Sequence, residues 1–462
     1  MRSLSKKGCP DWIKEKLRGR KNVEVKEHNG NYYLYGYKHE WDKESKKSVK
    51  KYFYLGVLKE VELKRVVEHG HVSLLYELTK NDILPYLKTH FPDEWKYLYV
   101  FAMNRVIYPM PLKRMGSWYE KTSLSKFMSL DKVTAKTMSK ILERVGQNIS
   151  GQLGFMRELI RPEEKLLYDG SVIYSHPKYN RLLEAGYNKD KLLLPKANIT
   201  LLFSKTRFLP VYFKLFFGSV HEVRTIKEVI DEVKERGIIF VADKGYYKND
   251  LFDGLHKNKI NFIIPLQRDN KRIKYSRELD KIIEYHKRII KYTSYKIGNY
   301  YVYLYEDQLL KYEETTEYYR FKLNKMKIDF HEKWAGKIAL LSNIKADPKE
   351  VYLMWKTRDE IEKACHILQN ILELDTPYVS KEDVFKGYVF ATFISLYMYY
   401  KILGLLKEKK INNKISVMDL LFELSKIMIY EKNGLFLEIP KRTIKLVDKI
   451  DLKDLVVKTG WS

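Results

Sequence analysis

The chain has 462 residues, 86 Lys plus Arg against 59 Asp plus Glu, a net charge of +27 and a pI near 9.5. That length exceeds one ordinary core, so two or more domains are expected, and positive charge spread along the whole chain is the footprint of a nucleic-acid partner. Two cysteines, Cys9 and Cys365, leave no disulfide framework and no cysteine-built zinc site, and the basic N-terminus MRSLSKKGCPDWIKEK lacks the apolar core of a secretory signal.

Residues 23–60 hold two β-like stretches, VEVKEHNGNYYLYGYKHEW and VKKYFYLGVL, joined by the charged turn DKESKKS, which predicts a small lysine-studded hairpin. Residues 70–160 change to helical apolar spacing in LLYELTKNDILPYL, EWKYLYVFAMNRVI and KTMSKILERVGQNISGQLGFMRELI. His69 and His71 form a lone H-x-H pair, which reads as surface polarity. From Leu166 the pattern is mixed. LLYDGSVIYS, NITLLFS (198–204) and LPVYFKLFFG (209–218) read as strands, and HEVRTIKEVIDEVKERG reads as a helix closed by Gly237. IIFVAD (238–243) is a buried strand, a helix-like stretch follows, and NFIIPL (261–266) is another strand. Three strands, helix, strand, helix, strand is the element order of an α/β ribonuclease H-like core.

Residues 268–333 interrupt that order. KIIEYHKRIIKY reads as a helix, and YKIGNYYVYLYED and EYYRFKLNKMKIDF read as tyrosine-rich strands. A strand in HEKWAGKIALLSN precedes the helix VYLMWKTRDEIEKACHILQNIL, where Ile361, Cys365, Leu368 and Leu372 make a buried stripe with Arg358, Glu362 and Gln369 on the adjoining face. The longest charge-free apolar run, GYVFATFISLYMYY (387–400), is too short to cross a bilayer and predicts a core helix. A soluble, cytoplasmic protein without a membrane partner is expected. Expected domains are a hairpin module (1–65), a helical DNA-binding domain (66–162), the catalytic core (163–267 and 334–400), a β-rich insertion (268–333) and a helical C-terminus (401–462).

One aspartate stands out. Asp169 sits inside the apolar strand LLYDGSVIYS, where an unpaired carboxylate is costly. Asp243 directly follows IIFVA, at the carboxyl end of a strand, where ligands gather in open α/β sheets. With Glu362 on the later helix, or Glu360 as a competitor, the carboxylates suit hard divalent ions, which take oxygen ligands and substrate phosphates. Two such ions can activate the attacking oxygen and stabilise the leaving one in phosphodiester chemistry. Glycine-rich phosphate loops and the G-x-S-x-G elbow are absent.

The blocks YDGSVIYS, GYNKDKLLLPKANITLL, FLPVYFKLFFGSVHEVRTI, VADKGYY, KWAGKIALLSN, RDEIEK and LELDTPYVSKEDVFKGYVFATF resemble, in order over roughly residues 165–400, prokaryotic insertion-sequence transposases with a DDE triad. The similarity is to the insertion-sequence-four-like group, marked by a Tyr-x2-Arg-x3-Glu-x6-Lys signature. It implies Asp169, Asp243 and Glu362 as catalytic, metal-holding residues, two Mg²⁺ ions with Mn²⁺ able to substitute, and Arg358 near the 5′ phosphate of a transposon end. It also implies binding of double-stranded DNA at inverted-repeat ends and target, a homodimer in the synaptic complex, and work at the prokaryotic nucleoid. Trp355 stands where the signature has tyrosine, Gln369 where it has lysine, and Cys365 where an aromatic is usual. Trp355 and Gln369 are thereby DNA-contact candidates. Trp334 reads as a core tryptophan or as an aromatic that stacks on an unpaired base. A nuclease of the same fold without strand transfer, and an inactive DNA-binding relic, remain as alternatives.

Overall fold

The fold comes from a computed structural model that describes residues 2–4, 9–10, 13–14, 17, 20, 22–43, 46–58, 65–162, 164–174, 184–187, 193–217, 228–229, 231–233, 238–241, 255–257, 259–324, 331–372, 374, 381–431 and 434–456. The chain divides into two units, Met1–Val66 with Tyr430–Gly434, and Val67–Ile429 with Leu435–Ser462.

In the first unit, β1 (Arg2–Leu4), β2 (Val23–His28), β3 (Asn31–Asp42) and β4 (Lys47–Leu58) form one antiparallel sheet in that order, more than the single hairpin expected. Asn29 and Gly30, both at positive φ, make the β2–β3 turn, because such a turn matches the strand twist. Val25 and Leu34 pack with Cys9, Ile13 and Leu17 in a small core. Strand β4 is exposed along most of its length and carries Lys47, Lys50, Lys51, Tyr52, Phe53 and Tyr54.

In sequence, β5 (Val66–Glu68) leads into seven helices: α1 (Gly70–Thr79), α2 (Ile83–His90), α3 (Trp95–Ile107), α4 (Met115–Lys121), α5 (Leu124–Met128), α6 (Ala135–Gln147) and α7 (Ile149–Leu159). Thr134 and Asn148 cap α6 and α7 by accepting from the amides of Thr137 and Gly151. The H-x-H pair is not at the surface. His69 and His71 are both fully buried, His69 against the Ser123 hydroxyl (2.9 Å) and His71 against Glu68 (3.1 Å). Polar partners inside the helical core make this burial tolerable.

A ten-stranded sheet follows, built from β6 (Leu166–Tyr174), β7 (Glu184–Tyr187), β8 (Leu193–Ser204), β9 (Leu209–Phe217), β10 (Ile238–Val241), β11 (Asn261–Pro265), β12 (Lys281–Tyr285), β13 (Arg288–Ile297), β14 (Tyr300–Asp307) and β15 (Lys337–Ser342). Its order is β12-β13-β14-β15-β11-β10-β6-β8-β7, with β9 also on β8. Strands β6, β10 and β11 are parallel neighbours, and the other pairings are antiparallel.

Two segments differ from the sequence reading. KIIEYHKRIIKY is the β12–β13 hairpin, turning at His286 and Lys287, both at positive φ. Ile283 and Ile290 face each other in the core while Ile282 and Ile289 point to solvent, a period of two rather than 3.6. EYYRFKL belongs to α8 (Gln308–Leu323), started by Asp307, whose carboxylate accepts from the amides of Leu309 and Leu310. The rest of that expected strand lies largely outside the described residues. Strands β12 to β14 extend the large sheet, where β14 joins β11 through β15.

Beyond β15 come α9 (Pro348–Lys356), α10 (Arg358–His366), α11 (Glu382–Glu408), α12 (Val417–Leu424) and α13 (Lys441–Lys449). The apolar run 387–400 lies in the 27-residue α11, which is long and apolar enough to cross a membrane but is mostly buried in the protein, against α1, α3, α6 and β9. Where α11 crosses α6 the backbones touch. A Cβ on Gly387 would meet the Leu142 carbonyl at 1.9 Å, and one on Gly146 the Asp383 carbonyl at 1.7 Å.

Candidate active site

Strand β6 is central, antiparallel to β8 on one side and parallel to β10 on the other. Leu166, Leu167 and Tyr168 are buried, as a strand covered on both faces requires. Asp169 pairs with Leu201 of β8. On the β10 side Phe240 lies opposite Tyr168, the residue before Asp169. Asp243, two residues further on, lies outside the described residues.

The start of β6 is anchored. Arg207, in the β8–β9 turn, donates to both carboxylate oxygens of Glu164 (2.8 and 2.7 Å) and to the Leu159 carbonyl (2.6 Å), and Ser204 also donates to Glu164. Burial pushes the Glu164 carboxyl up, but the bonds from Arg207 and Ser204 and the arginine charge outweigh it and hold the group below the usual carboxylate range. One buried pair thus ties the end of α7, the entry to β6 and the β8–β9 turn together.

Helix α10 packs against β6. Ile361, Ala364 and Cys365 form its buried face, and the side chain of Glu362 is 52% exposed. Arg358, only 15% exposed, donates to Glu362 one turn later. Glu360 is committed elsewhere: it pairs with Lys363 (2.8 Å) and Lys407 (3.7 Å), and its carbonyl accepts from the Tyr400 hydroxyl (3.1 Å). Sequence reasoning missed this cluster, which pins the start of α10 to α11, because Tyr400 and Lys407 lie 40 and more residues from Glu360. Glu360 is thereby tied down at 23% side-chain exposure, while the side chains of Asp359 and Glu362 are each 52% exposed.

Thr357 breaks the rod between α9 and α10, its hydroxyl turned back onto the Leu353 carbonyl (2.8 Å). Beyond α10, residues Ile367–Ile371 form a π turn. The expected α-helical face shared by Arg358, Glu362 and Gln369 therefore stops short of Gln369, since the wider turn shifts the register. Gln369 is half-buried there. Trp355 packs beside Tyr352 (5.9 Å between rings) with Lys356 over its face (4.6 Å), on the edge of the main core. Trp334 is half-buried in a short turn before β15, its ring 4.1 Å from that of His331. The register of β15 against β11 puts that turn beyond Pro265, at the carboxyl end of the parallel strands.

Carboxylates of the kind Asp169, Asp243 and Glu362 carry are all-oxygen donors, the chemistry that suits a hard divalent cation. The Glu362 side chain is 52% exposed beside Arg358.

A family profile described as "Transposase DDE domain" matches residues 161–398, which cover β6 through most of α11. No curated protein matches the chain significantly. Among solved structures, the chain is similar to a piggyBac transposase, determined by cryo-electron microscopy in a synaptic complex with hairpin DNA, at 10% identity and a TM-score of 0.42 over 86% of each chain. The profile spans more than half of the sequence, and the chain belongs to the transposase DDE-domain family.

Proposed function

We propose that the protein is an insertion-sequence transposase of the insertion-sequence-four-like group, which binds the terminal inverted repeats of its element, cuts there and joins the freed 3′ end to target DNA. The observation that carries this reading is the placement of β6 and β10 as parallel neighbours with α10 packed on β6. That arrangement supports a site in which Asp169, Asp243 and Glu362 come together. The local strand order β9-β8-β6-β10-β11, an antiparallel meander extended by two parallel strands, supports a ribonuclease H-like core.

Asp169, Asp243 and Glu362 would hold two Mg²⁺ ions, which when bound supply charge neutralisation and polarisation at the scissile phosphate. Arg358 orients Glu362 and adds a cation for the phosphate next to the cut. Trp334, beyond the carboxyl end of β11, would stack on a base, while Trp355 and Gln369 would border the DNA path along α9, α10 and the π turn. Duplex recognition is assigned to the helical region and to the N-terminal sheet. There the exposed β3–β4 ribbon, with its lysines, is of a form the major groove admits.

A homodimer completes the reading. Helix α8 buries no residue and shows Leu309, Tyr312, Tyr319 and Leu323 to solvent at seam-like spacing. A second copy of the same helix, antiparallel, would set Glu313 of each against Arg320 of the other. The protein would act in the cytoplasm, at the nucleoid.

The test is incubation of the protein with a labelled inverted-repeat end, Mg²⁺ and a plasmid target. End cleavage followed by joined product is expected. Cleavage without joining would make the protein a nuclease of the same fold, and binding without cleavage an inactive relic.

A further inference from the structure

Helices α12 and α13 and the turn before α12 enclose a cleft of about 660 Å³ that none of the residues of β6, β10 or α10 lines. Its floor is apolar, with Ile411, Ile415 and Leu446, and Phe422 stands 63% exposed at the lip. Its rim is cationic. Arg442, Lys445 and Lys449 follow one another on one face of α13, and Lys414 faces the same space. Thr443 and Val447, on the opposite face, are buried and fix which side of α13 lines the cleft.

The two carboxylates of the cleft are already used. Asp419 closes the capping box of α12 with Ser416 (2.7 Å), and Glu423 accepts from Lys426 (2.7 Å) and Thr443 (2.8 Å). Among the described residues, Lys414, Lys445 and Lys449 have no ion-pair partner, and Arg442 none within salt-bridge distance. Three exposed lysines, with Arg442 beside them near Glu423, therefore give the groove an excess of positive charge. Arg442 and Lys449 are two helical turns apart, about 10 Å. Duplex DNA presents one negative charge per roughly 1.7 Å of its axis, so a stretch of that length meets about six phosphates. A small anion would need converging donors, whereas these are strung along a line.

We propose that this cleft is a second DNA-contact surface, which grips the backbone of duplex DNA outside the active site, with Phe422 and the apolar floor against the deoxyriboses. The inference rests on the transposase reading and adds a place where the chain holds DNA away from the cut. Its effect would be a longer footprint and a steeper salt dependence, without base preference.

The test compares the full-length protein, Arg442→Gln/Lys445→Gln/Lys449→Gln, and a charge-matched control, Lys287→Gln/Lys291→Gln/Lys296→Gln on the β12–β13 hairpin, on a random-sequence duplex across a salt series. All six positions are exposed, so unchanged melting temperatures are expected. The cleft triple should lower the log–log salt slope by about 2 to 3, at roughly 0.9 per lost phosphate contact, and shorten the nuclease footprint on an end-bearing duplex. The control should do less on both counts. An unchanged slope, or equal losses from both triples, would overturn the proposal while the transposase reading stands. Absence of salt-dependent binding by the unmodified protein would overturn both.

Discussion

Arg358 and Glu362 form a salt bridge on α10, a helix that lies against the strand of Asp169, and the arginine is the more buried of the two. The buried cation is thus the fixed member, and the carboxylate is held in place from behind. Arg358→Ala is expected to lower end cleavage at least tenfold with the fold retained, and Arg358→Lys to restore part of it, since a lysine keeps the charge without the planar fork. Glu360→Gln should spare cleavage, because Glu360 is tied to Lys363 and Lys407. Those partly exposed pairs are worth no more than about 1 kcal/mol. Cleavage assays with thermal melts separate the two cases, and loss of cleavage in a well-folded Glu360→Gln would reassign the acid.

The Glu164–Arg207 pair predicts an acid-sensitive step in stability. Its carboxyl titrates lower in the folded protein than in the unfolded chain, so its contribution is fully present above the unfolded value, about 4.3, and disappears as pH falls through the folded value. Glu164→Gln leaves Arg207 buried without its countercharge and should cost about 3 to 5 kcal/mol. Denaturant unfolding at pH 7 and at pH 3 should show a gap between wild type and variant that narrows at the lower pH. A constant gap would mean that the pair is not ionised.

Gly387 and Gly146 let α11 and α6 touch backbone to backbone, and α11 also carries Tyr400 and Lys407, which hold the start of α10. Gly387→Ala should therefore force the helices apart and destabilise the protein by about 1 to 3 kcal/mol or more. The substitution Gly404→Ala, where a Cβ meets nothing, should be neutral or mildly stabilising. Melting temperatures check both, and equal effects would contradict the close crossing.

If α8 mediates a dimer, Tyr312→Glu/Tyr319→Glu places like charges in the seam and should shift the DNA-bound protein toward monomer in sedimentation. An unchanged dimer would move the interface elsewhere.

Much of the core was legible because single elements carry their own signals. Strands at 198–204, 209–217, 238–241 and 261–265 are compact apolar runs, and the stripe Ile361, Cys365, Leu368 and Leu372 is buried as its spacing predicts. The β12–β13 hairpin was missed because His286-Lys287 lacks the Asn-Gly or Asp-Gly turn signal, and runs of paired isoleucines satisfy both periods. Helix α8 was missed because tyrosines favour strands, while the Asp307 cap decides the segment. The commitment of Glu360, the burial of His69 and His71 and the cationic cleft all depend on residues far apart in sequence, which no local pattern records.

The most direct test of the account measures end cleavage and DNA binding side by side for Asp169→Asn, Asp243→Asn and Glu362→Gln, each of which removes one negative charge and keeps the shape. With Mg²⁺ present, all three should lose cleavage and strand transfer to background while binding an inverted-repeat duplex within a fewfold of wild type. Replacing Mg²⁺ with a chelator should reproduce that phenotype in the unmodified protein. Cleavage at the wild-type rate by any one of the three would contradict its place in the site, and by all three would refute the assignment of the active site itself.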